Sequence, residues 1–125
     1  MVTIYCTFEV PEENRAAFDE WFLGLAQECQ REEGCIAYDY LQNPQHPGRC
    51  TLFEAWDDDA HFQAHLYFPA HVDMIAFGTS RWGMRNIVVH TWRDGDYAKR
   101  ELTSTEQAVD EQLLAVVRER QLQPA

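Results

Sequence analysis

The hydrophobic pattern changes period twice within the first 41 residues, and that limits what the chain can fold into. Residues 2 to 10 alternate Val2, Ile4, Cys6 and Phe8 against Thr3, Tyr5, Thr7 and Glu9, which predicts a strand buried on one face. Pro11 then opens a helix with acids in its first turn, where the helix dipole favours them. Phe18, Phe22, Leu25 and Cys29 make one apolar stripe along it. Gly34 sits where a helix C-terminal cap belongs. The period of two returns from Cys35 to Leu41, with Ile36, Tyr38 and Tyr40 on one face.

"NPQHPG" reads as a loop, and a third strand from Arg49 to Trp56 as the hairpin partner of the second. "DDD" at 57 to 59 supplies an N-cap for a short helix carrying Phe62, His65 and Leu66. The residue before a proline leaves the helical region, so Phe68-Pro69 ends that helix and starts another carrying Val72, Ile75 and Ala76. Residues 84 to 92, "MRNIVVHTW", make the last strand. The order is β-α-β-β-α-β, an α+β class chain with the ferredoxin-like arrangement: an antiparallel sheet with helices on one face.

This places a domain over residues 1–94 and a C-terminal extension over residues 95–125. After Arg93, "DGDYAKRELTST" is polar and turn-rich. A terminal amphipathic helix from about Glu106 to Gln121 offers Val109, Leu113, Val116 and Val117, which its own core or a second subunit must cover. The sheet's other face bears many aromatics. Soluble monomers rarely leave such a face bare, so a homodimer closing two sheets face to face is expected.

Charge and composition narrow the partners. Ten Lys+Arg against 21 Asp+Glu give a formal charge of −11, which argues against nucleic acid and against anionic membranes as partners. A small uncharged aromatic ligand remains compatible. No apolar run approaches the roughly 20 residues of a membrane span. "MVTIYCTFEV" has no basic region and alternates like a strand, so a cytoplasmic location is expected rather than secretion. Cys6, Cys29, Cys35 and Cys50 show no C-x-x-C spacing and read as small, partly buried residues.

The segment "EGCIAYDYLQNPQHPGRCTLFEAWDDDAHFQAHLYFPAH" resembles the antibiotic biosynthesis monooxygenase superfamily of dimeric α+β barrel proteins. The matching features are Gly34-Cys35 followed by Tyr38, then Phe53-Glu54 with Trp56, an acidic turn, Ala64-His65-Leu66, and Pro69 with His71. The resemblance spans roughly residues 2 to 93 and implies the fold more firmly than the reaction. The family includes cofactor-free oxygenases of quinols and anthrones, haem degraders, isomerases of small signalling molecules and members without known activity. The haem degraders use an asparagine on the first strand, and residues 1 to 10 contain none.

His61, His65 and His71 fall within twelve positions. His61 and His65 share a helix face at the i,i+4 spacing that can bind zinc. Phe62, however, stands where the hydrolytic motif places glutamate, and no metal site is assigned. His65 faces inward with Phe62 and Leu66, either as a core-edge histidine or as a general base lining a cavity. His71 lies in the first turn after Pro69, where the dipole disfavours imidazolium; a neutral imidazole there can accept a proton from a phenol, or simply be solvated. No glycine-rich phosphate loop or dinucleotide fingerprint appears, so no cofactor is expected. An oxygenase of this kind must then draw its electrons for O2 from an electron-rich substrate. His65 and His71 are the candidate catalytic pair. Tyr40, Trp56, Phe62, Phe77 and Trp82 are candidate wall residues, with Arg85 a candidate for the developing oxyanion. An isomerase or cyclase needing no O2, and a non-catalytic ligand-binding dimer, stay open.

Overall fold

A computed structural model of the chain describes residues 1–124. The elements run β1 (Val2–Glu9), α1 (Arg15–Cys29), β2 (Cys35–Gln42), β3 (Arg49–Trp56), α2 (Asp59–Leu66), α3 (Pro69–Phe77), β4 (Arg85–Arg93), β5 (Asp96–Leu102) and α4 (Glu111–Gln121). Short 3-10 turns at Glu12–Asn14 and Thr105–Ala108 precede α1 and α4. The sheet has the order β2-β3-β1-β4-β5 with every neighbouring pair antiparallel. Its first four strands and the helices packed on one face form the expected ferredoxin-like α+β fold.

Alternation decides what each strand buries. Val2, Ile4, Cys6 and Phe8 point from β1 into the main core, joined by Leu52 and Trp56 from β3 and by Phe18, Phe22, Ala26 and Cys29 from α1. Leu25, expected in that stripe, is only half-buried, and Ala26 takes the inner place. Ile36 lies at a register irregularity between Cys35 and Ala37 and is exposed, so it leaves the row of Tyr38 and Tyr40. All four cysteines carry free thiols, three of them buried. Among the described residues no helix is long and apolar enough to cross a membrane.

Three local expectations need correction. Gly34 does not cap α1, which ends at Cys29 with Gln30 as its cap. The glycine has φ +82 in the turn before β2, where a β-carbon would run into the His61 ring. The stretch after Arg93 is a strand rather than turns. Asp94 and Gly95 both have positive φ and link Arg93 to its partner Asp96 as a two-residue hairpin loop. Finally, the terminal helix begins at Glu111, not Glu106. Asp110 caps it by accepting from the Leu113 N–H at 2.8 Å, while Val109 remains extended.

The apolar side of α4 is covered within the chain at Leu113 and Val117, while Val116 stays exposed. Leu113 and Val117 pack on Val72, Ile75, Ala76 and Phe77 of α3. Arg120 reinforces the contact with an ion pair to Asp73 at 2.7 Å and a position 4.9 Å above the Phe77 ring.

Candidate active site

A cavity of about 350 Å³ lies between the inner face of the sheet and α2 and α3, within the range usual for small-molecule sites. Its wall is largely apolar, with Ile4, Leu52, Phe62, Met74, Ile87 and Val89 among the contributors. Into it come a few polar groups: Glu54 from β3, His71 from α3, Gln63 from α2, and Thr91, Arg93 and Arg100 from β4 and β5. An open groove lined by Tyr67, Val109 and Leu113 shares Gln63, Leu66, Arg100 and Ala108 with the cavity, which makes it the cavity's mouth.

Behind Glu54 lies a chain of buried polar groups. Asp58 caps α2 by accepting the His61 N–H at 2.8 Å, and that start places His65 inward on the following turn. His65 is 1% exposed. Its Nδ1 lies 2.6 Å from Glu32 Oε2, in the turn after α1, which makes Nδ1–H the donor to that carboxylate. Its Nε2 lies 3.4 Å from Glu54 Oε1, close enough for ion pairing but without hydrogen-bond geometry. Trp56 stacks on the imidazole at 4.5 Å and donates its indole N–H to Glu54 Oε1 at 3.1 Å. Burial pushes the Glu54 carboxyl above its ordinary value, against the opposing pull of His65 and the Trp56 hydrogen bond.

His71 has a different character. Its Nδ1–H donates to the Leu66 carbonyl at 2.8 Å, leaving Nε2 as a lone-pair acceptor. Burial, aided by His65 at a ring distance of 4.8 Å, holds the imidazole down to about 3. It is therefore neutral across the physiological range. The two histidines divide the work: one is locked between carboxylates, the other offers an uncharged acceptor to the cavity.

The structure brings together four of the residues singled out in the sequence: His65, His71, Trp56 and Phe62. Of these, Phe62 and His71 line the cavity, while His65 and Trp56 stand behind Glu54. The other four lie elsewhere. Tyr40 packs against Phe22 and donates its hydroxyl to Asp19 at 2.6 Å. Trp82 packs on Trp21. Phe77 is enclosed by α4 and Arg120. Arg85 is exposed at the start of β4, opposite Glu9. None of these four lines the cavity.

Glu54 is not among the sequence candidates, although the sequence carries a signal for it. An acid between Leu52 and Trp56 occupies an inward position of an alternating strand. Glu32 and Arg100 carried no comparable signal.

Cys29, Glu32 and His65 bring three ligand-type atoms within 4.8 Å of one another. Burial pushes the Cys29 thiol far above its ordinary value, and His65 Nδ1 is engaged by Glu32. As arranged, Glu32 and His65 are hydrogen-bonded to each other beside a neutral thiol.

Comparison with known proteins agrees with this architecture. A candidate antibiotic biosynthesis monooxygenase from Deinococcus radiodurans superposes with a TM-score of 0.69 at 22% identity, covering 77% of this chain and 94% of that one. A Mycobacterium tuberculosis protein gives 0.65 at 20% identity, over 72% of this chain and 90% of its own. A conserved protein from Methanosarcina mazei gives 0.66 at 21% identity, over 74% and 90%. At such identities the likeness is one of fold. No curated protein matches the chain. The family model for antibiotic biosynthesis monooxygenases matches residues 1–76, from β1 to nearly the end of α3 and including Glu32, Glu54, His65 and His71. The chain belongs to the antibiotic biosynthesis monooxygenase family.

Proposed function

We propose that this protein is a cofactor-free oxygenase of a small electron-rich aromatic, a quinol or an anthrone, with Glu54 as its proton acceptor. The observation that carries this is a buried carboxylate in an apolar wall, backed by an imidazole that is itself tied to a second carboxylate. A carboxylate whose proton affinity is raised by burial is a better general base than one in water. Glu54, rather than His65, faces the substrate. His65 supports it from behind: its Nδ1–H is held by Glu32, and its ring stacks on the Trp56 indole that donates to Glu54. His71 Nε2 accepts a hydrogen bond from a substrate hydroxyl and orients the ring.

The chemistry balances without a further reductant. Deprotonation of an anthrone methylene gives a carbanion that reduces O2 and combines with it. One oxygen atom becomes the new carbonyl of the quinone, and the other leaves as water with the two methylene hydrogens. The protein's part is to hold the ring in a dry cavity, take the first proton and stabilise the anion.

The working unit is a homodimer in this proposal. Tyr5, Trp92, Tyr97 and Leu41 stand exposed on the sheet face opposite the helices, which a second copy would cover.

The test is anaerobic mixing of protein with dithranol, an anthrone, followed by admission of air. No quinone forms before air enters, and afterwards it forms faster than in buffer. Oxidation at the buffer rate removes the oxygenase assignment, and a product formed without air assigns the same proton acceptor to an isomerase or cyclase.

A further inference from the structure

Two arginines reach the cavity, and they differ in what neutralises them. Arg93 pairs with Asp59 at 3.1 Å and lies 5.6 Å over the Phe62 ring. Arg100 stands on β5 opposite Val89, in the row of Ala98, Arg100 and Leu102 that lines the cavity. Its Nη1 and Nη2 donate to the backbone carbonyls of Ala108 at 3.3 Å and Gln107 at 2.5 Å. Among the described residues it forms no ion pair.

The two carbonyls orient the guanidinium without cancelling its charge, and they leave part of its five-donor fork unused. The turn that supplies them is anchored in turn. Thr105 Oγ1 donates to the Ile75 carbonyl at 2.6 Å, and Thr105 N–H to Thr79 Oγ1 at 2.9 Å. The nearby acid of the groove, Asp110, is engaged in capping α4. Arg100 is thus a held cation facing both the groove and the cavity.

We propose that the substrate carries a carboxylate, and that Arg100 binds it at the mouth while the aromatic ring lies inside. This rests on the aromatic-oxygenase reading of the cavity and adds the substrate's class. The polarity of the site sets the direction of entry. Glu54 at the inner wall repels an anion, whereas Arg100 at the mouth attracts one and leaves it partly hydrated. The ring enters first and the carboxylate stays at the rim. The segment from β5 to α4, which lies outside the span shared with the family model, then serves as the part that selects the substrate.

The experiment compares two quinones of the anthrone series by calorimetry: danthron, which is uncharged, and rhein, the same ring system with one carboxylate. Wild-type protein should bind rhein about tenfold tighter than danthron or more, as a charge-assisted contact requires. In Arg100→Gln the rhein-to-danthron ratio should fall toward one, and Arg100→Lys should retain part of it. Danthron binding in each variant reports whether the cavity is intact, so a folding defect cannot pass for lost selectivity. Danthron binding without a preference for rhein, or a preference that survives Arg100→Gln, overturns the proposal while leaving the oxygenase reading standing. Failure of both quinones to bind overturns both. A rhein preference dependent on Arg100, in a protein that does not accelerate dithranol oxidation, supports the proposal and removes only the oxygenase reading.

Discussion

At the residue scale, the site depends on keeping one imidazole neutral and another held between acids. His71 has a folded-state value of about 3 against 6.5 for a free imidazole. Between those values the unfolded chain binds a proton that the folded chain does not. The contribution is therefore intact above about pH 6.5 and is lost as the pH falls toward 3, at up to about 1.4 kcal/mol per pH unit. Urea unfolding at stepped pH checks this. His71→Asn, which can still donate to the Leu66 carbonyl, should show a shallower loss of stability over that window than the wild type. Glu54 was legible in the sequence as an acid in an inward strand position. Its partner relation was not, because Glu32 meets His65 across 33 positions and no local pattern reports such a contact.

At the element scale, legibility follows how strongly one face of each segment is buried. α1 and β1 bury a continuous apolar row and were readable from periodicity alone. β5 buries only Leu102 among its seven residues, and its charged composition is that of a protected edge. Asp94-Gly95 was the one local signal for it, since both residues adopt the positive φ that a tight hairpin needs. The turn at Gly34 is equally specific. Its carbonyl accepts the Asp57 N–H at 2.9 Å, and His61 occupies the space a side chain would need. Gly34→Ala should cost roughly 1–3 kcal/mol from backbone strain and the displaced ring, read as a lowered Tm. Turnover should fall further than stability, because the same turn carries Glu32 toward His65.

At the scale of the whole molecule, the chain covers its terminal helix but leaves one face of its sheet open. Trp92 is 41% exposed and Tyr97 53%, and together with His90 they form an aromatic patch, Trp92 and Tyr97 lying 5.2 Å apart. In light scattering at micromolar concentration the protein should run as a dimer, and Trp92→Glu should shift it to monomer by placing a charge in the interface. A wild-type monomer would contradict the dimer. The central claim, that Glu54 initiates oxidation of a bound aromatic by O2, is tested most directly with an oxygen electrode. Dithranol oxidation by the wild type should consume one O2 per anthrone. Glu54→Gln, folded by circular dichroism, should be slower by about a hundredfold or more, as expected for loss of a general base. Equal rates for the two proteins would contradict the account.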